Sequence, residues 1–203
     1  KLRTEVRFAP PMDLRSPGVR MQSQSSAVES RYVDIVIPGR DVRVSSAYMS
    51  VGIVENLERN LAAARESGDR REESTALEKL GIVYHSLGET RRAVLLYAQQ
   101  LAITREIRDR RGEGNALGNL GSAYADLGEA RRAVELYQQQ LFITREIGDR
   151  REERAALGNL GRAYADLGET RRAVELYQQQ LFITREIGDR RGEAVTLGRQ
   201  GDA

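Results

Sequence analysis

A forty-residue repeat constrains this chain more than any other feature of its sequence. Residues 110–149 and 150–189 are identical at 35 of 40 positions, and the stretch LGNLGSAYADLGE in the first returns as LGNLGRAYADLGE in the second. Residues 70–109 follow the same template more loosely. A period of this length is typical of architectures in which each unit buries its apolar face against its neighbours. We therefore expect a repeat array.

The register of the repeat sets the predicted domains. We expect an N-terminal segment over residues 1–49 and an array over residues 50–203. The array divides into a half unit at 51–69, three units at 70–109, 110–149 and 150–189, and a partial unit at 190–203.

Each unit carries two stripes of apolar residues at helical spacing, which predict two antiparallel helices. Gly128 separates the stripes and indicates a helix end. Gly148 followed by Asp149 indicates a second end and then the N-cap of the next helix. The second helix is predicted to have about 19 residues and to be about 28 Å long, at 1.5 Å per residue.

HEAT, armadillo and WD40 repeats have periods near forty residues as well, so the internal spacing has to decide. Here the spacing L-x2-L-G-x2-Y, followed by A-x3-Y, resembles the tetratricopeptide pattern, with Leu in place of its usual Trp. In the second unit this pattern consists of Leu117, Leu120, Gly121, Tyr124, Ala133 and Tyr137. Gly121 and Ala133 are predicted to act as a small pair that lets the two helices approach closely.

The repeat is longer than the 34-residue form, and Gln100, Gln140 and Gln180 stand where Ala is common. This variant resembles the arrays of the Pins/LGN polarity adaptors, and it is similar to arrays of bacterial signalling NTPases and caspase-like proteases. The resemblance covers residues 51–203. It implies an all-α fold, a solenoid of tetratricopeptide-type helix-turn-helix units wound as a right-handed superhelix, preceded by a short β and irregular segment.

Residues 1–49 differ in pattern from the array. KLRTEVRF at 1–8 alternates polar and apolar residues as a half-buried strand does, and YVDIVI, Pro38-Gly39 and DVRV predict a hairpin. Residues 9–26 are predicted to form a loop. We interpret these strands as the edge of an upstream domain, or as strands that lie on the first helix of the array.

The resemblance implies a concave groove, lined by the first helices, that binds an extended peptide. The predicted groove residues are Lys79, Ile82, Asn115, Asn119, Ser122, Asp126, Asn159, Arg162 and Asp166. Two of the five differences between the second and third units, Asn115/Ala155 and Ser122/Arg162, fall on groove positions. Either exposed positions drifted, or the duplicated groove was tuned to a ligand that is not itself repetitive.

Other surface residues receive simpler predictions. Gly118 and Gly158 predict a shallow groove floor, or are inherited repeat sequence, and His85 is predicted to be an ordinary exposed side chain. Phe142 and Phe182 are predicted to pack beneath the first helix of the next unit. Seven Arg-Arg pairs recur among acidic residues, and we expect solvated edges on which these charges pair with one another.

Composition excludes several classes of function. The formal net charge is +2, from 32 basic and 30 acidic residues, which does not favour nucleic-acid or membrane-surface binding. The chain has no cysteine and no long apolar run, so we expect a cytoplasmic protein without disulfides. It starts at Lys1 rather than Met, and we expect it to be a piece of a longer protein.

No catalytic, cofactor-binding or metal-binding motif is present in the sequence, so the array is predicted not to be an enzyme. We expect a protein-interaction scaffold that binds a peptide or partner segment in its groove. The alternatives are a sensor arm of a larger signalling enzyme with an upstream catalytic domain, and a self-assembling spacer. Leu181, Phe182 and Ile183 are predicted to remain open at the C-terminal end and to support a homodimer.

Overall fold

The computed structural model describes the backbone of residues 20–22, 32–37 and 40–202, and the side chains of residues 52–190, 192–199 and 201. By its internal contacts the chain forms two compact units, residues 1–53 and 54–203.

Three short strands lie in the first unit: β1 Arg20–Gln22, β2 Tyr32–Ile37 and β3 Arg40–Ser45. β2 pairs antiparallel with both neighbours, and Ile37 lies opposite Arg40. This register confirms the predicted hairpin. The predicted loop over 9–26 is wrong at residues 20–22, because β1 pairs there with the second edge of β2. The strand predicted over 1–8 lies outside the described residues.

The helices follow in a regular series. They are α1 Ser46–Ser67, α2 Arg70–Ser86, α3 Thr90–Glu106, α4 Arg110–Asp126, α5 Ala130–Glu146, α6 Arg150–Asp166, α7 Thr170–Glu186 and α8 Arg190–Asp202. Thus α2–α3, α4–α5 and α6–α7 form the three complete units. This helical array confirms the fold class predicted from the repeat.

Short links join the units, and Asp149 shows how they work. Its backbone N–H donates to the carbonyl of Thr144 at 2.9 Å, which closes the end of α5, while Gly148 takes a φ of 70°. Its side chain accepts a hydrogen bond from the backbone N–H of Glu152, which caps α6. One residue therefore ends one helix and begins the next, which keeps the register constant.

The second helix of each unit is shorter than predicted. α5 has 17 residues, the same number as α4, and spans about 25 Å at 1.5 Å per residue. The helix ends at Glu146, before Ile147 and Gly148. These two residues form the closing turn instead, because the positive φ of Gly148 reverses the chain.

The core repeats from unit to unit. Leu77, Leu117 and Leu157 are fully buried, and so are Tyr97, Tyr137 and Tyr177, which are at most 4% exposed. A Cβ added to Gly121 would lie 2.7 Å from Cε1 of Tyr137, so the missing side chain makes room for this ring. The predicted pairing of Gly121 with Ala133 stays a prediction. Ala133 is fully buried and packs in a cluster with Leu160 and Ala163 of the next unit.

Two predictions about apolar surface are also corrected. Phe142 and Phe182 are 68% and 69% exposed, since they lie on the outer sides of α5 and α7 and not beneath the next unit. Leu181 and Ile183, which were predicted to remain open, are less than 10% exposed. α8 packs on α7 and covers them.

Candidate functional site

The first helices of successive units contact one another, α2 with α4 and α4 with α6. We call the surface that α2, α4, α6 and α8 share the groove. A depression of about 440 Å³ lies in it where α2 meets α4. It is lined by Ile82, His85, Ser86, Tyr97, Asn119, Ser122 and Asp126. Four of the nine predicted groove residues are therefore brought together here: Ile82, Asn119, Ser122 and Asp126.

The other predicted residues are spread along the same helices. Asn115, one helical turn before Asn119, lines a second depression of about 340 Å³ together with Glu78 and Gln100. Lys79 is exposed on α2. On α6, Asn159 is half-buried, whereas Arg162 and Asp166 are exposed. The nine residues thus lie on the first helices α2, α4 and α6, and the depression at the α2–α4 junction gathers four of them.

His85 differs from the prediction of an ordinary exposed side chain. Its Nε2 lies 2.7 Å from Oδ2 of Asp126, and only 19% of the side chain is exposed. The ring also meets Tyr97 edge-on, with centroids 6.4 Å apart. The sequence carried only a weak signal for this pair. His85, the single histidine, precedes Asp126 by 41 residues, which is one repeat and one residue. This pair joins the first helices of two units inside the depression.

The groove floor is not empty at its glycines, which corrects one reading of Gly118 and Gly158. A Cβ on either glycine would lie 2.5 Å from Nε2 of Gln140 or Gln180 respectively. The missing side chains make room for a glutamine of the same unit. Both glutamines are at most 4% exposed, and their Oε1 atoms have no hydrogen-bond partner. The floor therefore consists of buried amides.

The first unit has a carboxyl group at the equivalent place. Glu78 stands where the later units have glycine, close to Gln100, whose Oε1 is also buried without a partner. Burial raises the pKa of Glu78, and a hydrogen bond with Gln100 partly offsets this rise. The groove floor therefore differs between units: the first unit has a half-buried carboxyl group at Glu78, and the later units have glycine at the equivalent position.

Away from the groove, at least one arginine of each pair from 70–71 to 171–172 forms an ion pair, as predicted. Glu113 is 7% exposed and accepts hydrogen bonds from Arg105 at 2.8 Å and from Arg110 at 2.6 Å. Burial raises the pKa of Glu113, but these two hydrogen bonds outweigh it and hold the pKa below its ordinary value. Arg110 also pairs with Glu146. The same network links the other units through Glu73 and Glu153.

A second row of arginines stacks on tyrosines. The guanidinium groups of Arg92, Arg132 and Arg172 lie 5.3–5.4 Å from the ring centroids of Tyr84, Tyr124 and Tyr164. Each also pairs with a glutamate three residues earlier. These arginines are held by cation–π contacts and ion pairs. They form part of the folded surface and leave little free charge for a ligand.

A depression of about 500 Å³ on the outer side of the array surrounds the exposed Phe142, between Arg110 and Gln138. Arg110 and Glu113 in its lining belong to the paired network, and Glu135 adds a further carboxylate beside them. Within the described residues, no cluster of His, Cys, Asp and Glu could hold a metal ion, and no helix has the length and apolarity to cross a bilayer.

Comparison with known proteins gives a consistent family. Two family models described as tetratricopeptide repeat match residues 76–111 and 112–186. No curated protein matches the chain. A solved putative kinesin light chain with nearly identical TPR-like repeats from Podosopora anserina is 23% identical, with a TM-score of 0.66. The match covers 76% of this chain and 76% of that one.

Two further structures match over 76% of this chain but over smaller parts of their own. The apo form of RapI is 19% identical with a TM-score of 0.70, and 43% of it is covered. A STAND protein with a tetratricopeptide repeat sensor from Pyrococcus horikoshii is 21% identical with a TM-score of 0.66, and 25% of it is covered. At these identities the structures support the fold. Since the two family matches together span residues 76–186, the chain belongs to the tetratricopeptide-repeat family.

Proposed function

We propose that the array is a non-catalytic protein-interaction module that binds an extended peptide or partner segment along the groove. Tetratricopeptide arrays are in general protein-interaction modules. The observation that carries the proposal for this chain is the depression of about 440 Å³ at the α2–α4 junction, where Asn119, Ser122 and Asp126 meet. These side chains offer both donors and acceptors at one place, as an extended peptide backbone requires.

The repeat supports the same proposal. Asn159 occupies on α6 the position that Asn119 occupies on α4, so equivalent amides stand one unit apart on the same surface. A peptide lying along the groove can then meet the same type of amide at regular intervals. The paired arginines outside the groove provide no comparable set of free polar groups.

The test begins with a random library of peptides of about 12 residues, each roughly 40 Å long when extended. The library is displayed on phage and selected on the immobilised chain, and the affinity of enriched peptides is measured by fluorescence anisotropy. Asn119→Ala and Asn159→Ala are each expected to weaken binding about three- to tenfold, the effect of one lost hydrogen bond.

Arg131→Glu is the matched control, because Arg131 is exposed at the start of α5 and lies outside the groove. It should leave the affinity unchanged. Failure to enrich any peptide, or equal losses in all three variants, would contradict groove binding.

A second candidate is a sensor arm of a larger signalling protein. The observation that favours it is the similarity of fold to a STAND protein whose array is described as a sensor. In that case the groove would still bind a ligand, and binding would regulate another domain. Expression of the complete open reading frame, with its activity measured with and without a selected peptide, would test this candidate. Cytoplasmic location stays a prediction.

Self-association through the C-terminal end is a third candidate, with a smaller surface than predicted. Phe182, Val195 and Leu197 are each at least 47% exposed on α7 and α8. Light scattering over a concentration series should show a dimer that Phe182→Glu dissociates. A monomer at every concentration, unchanged by this substitution, would exclude it.

A further inference from the structure

Two helices of the array lack the partner that their equivalents have in a complete unit. α8 stands at the place of a first helix, and among the described elements no second helix packs on it. α1 stands at the place of a second helix, because residues 54–70 correspond in register to 94–110, and the described elements before it are strands. Each of the two helices therefore presents a face that the complete units bury.

The open face of α8 is apolar where a first helix is apolar. Leu197 is 47% exposed, whereas Leu117 and Leu157 at the equivalent position are fully buried. Ala194, almost one turn earlier, is exposed as well. This face continues the surface on which α4 holds α5 and α6 holds α7.

The same face keeps two glycines that receive side chains elsewhere. In the second unit Gly118 makes room for a glutamine of the second helix, and Gly121 makes room for a tyrosine. The equivalent residues of α8 are Gly198 and Gly201, and no atom lies within 4 Å of a Cβ added to either. The room for a second helix is present on α8 and unfilled.

Charge completes the comparison. Arg110 and Arg150 begin their first helices, and each pairs with the glutamate that ends the second helix of its unit, Glu146 and Glu186 respectively. Arg190 begins α8 at the equivalent position, and no carboxylate oxygen among the described side chains lies within 4.0 Å of its guanidinium. The face of α8 thus offers a cation where a second helix brings a carboxylate.

α1 has the complementary face. Asn60 and Ala63 are exposed, whereas Gln140 and Ile143 at the equivalent positions are each 3% exposed. Glu66 is also exposed, and it occupies the position of the glutamate that ends each second helix. α1 therefore carries the carboxylate that Arg190 lacks, one repeat before Glu106.

The contacts inside a complete unit give the register in which these two faces fit. Within the second unit the contacts join Gln140 to Gly118, Ile143 to Gly114 and Glu146 to Arg110. The equivalent positions bring together Asn60 with Gly198, Ala63 with Ala194 and Glu66 with Arg190. Asn60 and Ala63 are smaller than the residues they replace, so neither is too large for its place.

We propose that α8 of one copy of this chain binds α1 of a second copy, so that the two helices complete one unit of the array across the interface. The contact is head-to-tail, because the two faces are different. Each pair of copies keeps one open α8 face and one open α1 face, and further copies can add. This inference goes beyond the two-fold dimer considered above, in which the C-terminal end of one copy meets the same end of another.

The first test fills the open space on α8. Gly198→Leu should leave the helix intact, because the added side chain meets no atom of its own copy and Leu is a better helix former than Gly. It should raise the dissociation constant of self-association about tenfold or more, measured by sedimentation velocity over a concentration series, since it overpacks the interface. Arg131→Leu is the matched control, because it adds the same side chain at an exposed position outside both faces. It should change nothing.

The second test uses two blocked chains. Ala63→Arg puts a charge into the α1 face and leaves α8 intact, whereas Gly198→Leu does the reverse. Neither chain should assemble by itself. An equimolar mixture should form a dimer and nothing larger, because α8 of the first chain and α1 of the second are both unchanged.

Charge exchange gives a readout that a loss of structure cannot imitate. Glu66→Arg and Arg190→Glu should each weaken self-association about threefold or more. Both substitutions in one chain should restore it, since the pair then has its charges exchanged.

The outcomes separate this proposal from the others. A chain that stays monomeric at every concentration would overturn it, and so would an oligomer that Gly198→Leu and Ala63→Arg leave unchanged. An oligomer that Phe182→Glu dissociates while Ala63→Arg has no effect would assign self-association to the two-fold dimer. No peptide enters these measurements, so their failure leaves groove binding untouched.

Discussion

The units α4–α5 and α6–α7 differ at five residues, and comparing them separates the contacts that determine the fold from the side chains that vary on its surface. Both units keep the same glycine–tyrosine contact, the same glycine–glutamine contact and the same aspartate cap. Both also have a buried glutamate held by two arginines. The differences leave these features in place, and at Gly112/Glu152 the backbone N–H donates to the capping aspartate in both units. Ser122 is a neutral side chain in the depression at the α2–α4 junction, whereas Arg162 is an exposed cation at the equivalent position on α6.

Removing one of the two units would test the comparison most severely. Deletion of residues 150–189 joins Asp149 to Arg190 and restores the register of the links. Since each unit mainly contacts its neighbours, the shortened array should fold and have a smaller free energy of unfolding. Urea unfolding followed by circular dichroism measures this change. An unfolded product would contradict the repeat architecture.

The shared glycine–tyrosine contact predicts equal effects in the two units. Gly121→Ala and Gly161→Ala each place a Cβ at 2.7 or 2.6 Å from a tyrosine ring, which must move within a packed core. Each should lower the free energy of unfolding by about 2 kcal/mol, typical of an overpacked site. Gly198→Ala is the control, because no atom lies within 4 Å of its added Cβ. Clearly unequal losses at 121 and 161 would show that the units are not equivalent.

The buried glutamates predict a dependence of stability on pH. Hydrogen bonds from Arg65, the largest effect, and from Arg70 hold the pKa of Glu73 below 4.5, and the pKa of Glu113 is also lowered. Their contribution is therefore present above about pH 4.5 and is lost as the pH falls through the lowered values. Glu113→Gln should cost about 2 kcal/mol at pH 7 and reduce the loss on acidification. If the Glu113→Gln variant loses as much stability on acidification as the native chain, other groups cause the dependence of stability on pH.

The links between units differ at one position, which predicts a smaller effect. Arg108 has a φ of 55°, while Gly148 and Gly188 take values of 70° and 72° at the equivalent place. Because this conformation is unfavourable for a residue with a Cβ, Arg108→Gly should stabilise the array by about 1 kcal/mol. The reverse change, Gly148→Arg, should destabilise it by a similar amount. Thermal unfolding of both variants would check the two signs.

Periodic features could be predicted from sequence, and features that depend on which surfaces meet could not. The spacing of Leu117, Leu120 and Tyr124 gave the helices, and Gly148-Asp149 gave their ends, because these signals are local. The exposure of Phe142 and the contact of Gly118 with Gln140 depend on how two helices are rotated against each other. Helical periodicity does not determine that rotation.

The candidate site follows the same division. The residues that share the groove are set by helical periodicity, so Asn119 and Asn159 could be named from sequence. The His85–Asp126 pair arises between units and needs the packing of α2 on α4.

The central claim is that the units α4–α5 and α6–α7 share their core contacts and caps but differ in the chemistry of their groove side chains. An exchange of one residue between the two units tests this claim directly. The double variant Ser122→Arg with Arg162→Ser keeps composition and net charge but moves the arginine to the other unit. The affinity of a peptide selected on the native chain, measured by fluorescence anisotropy, should fall about tenfold while the free energy of unfolding changes little. An unchanged affinity would contradict the claim, because it would mean that the position of this charge along the groove has no effect on binding.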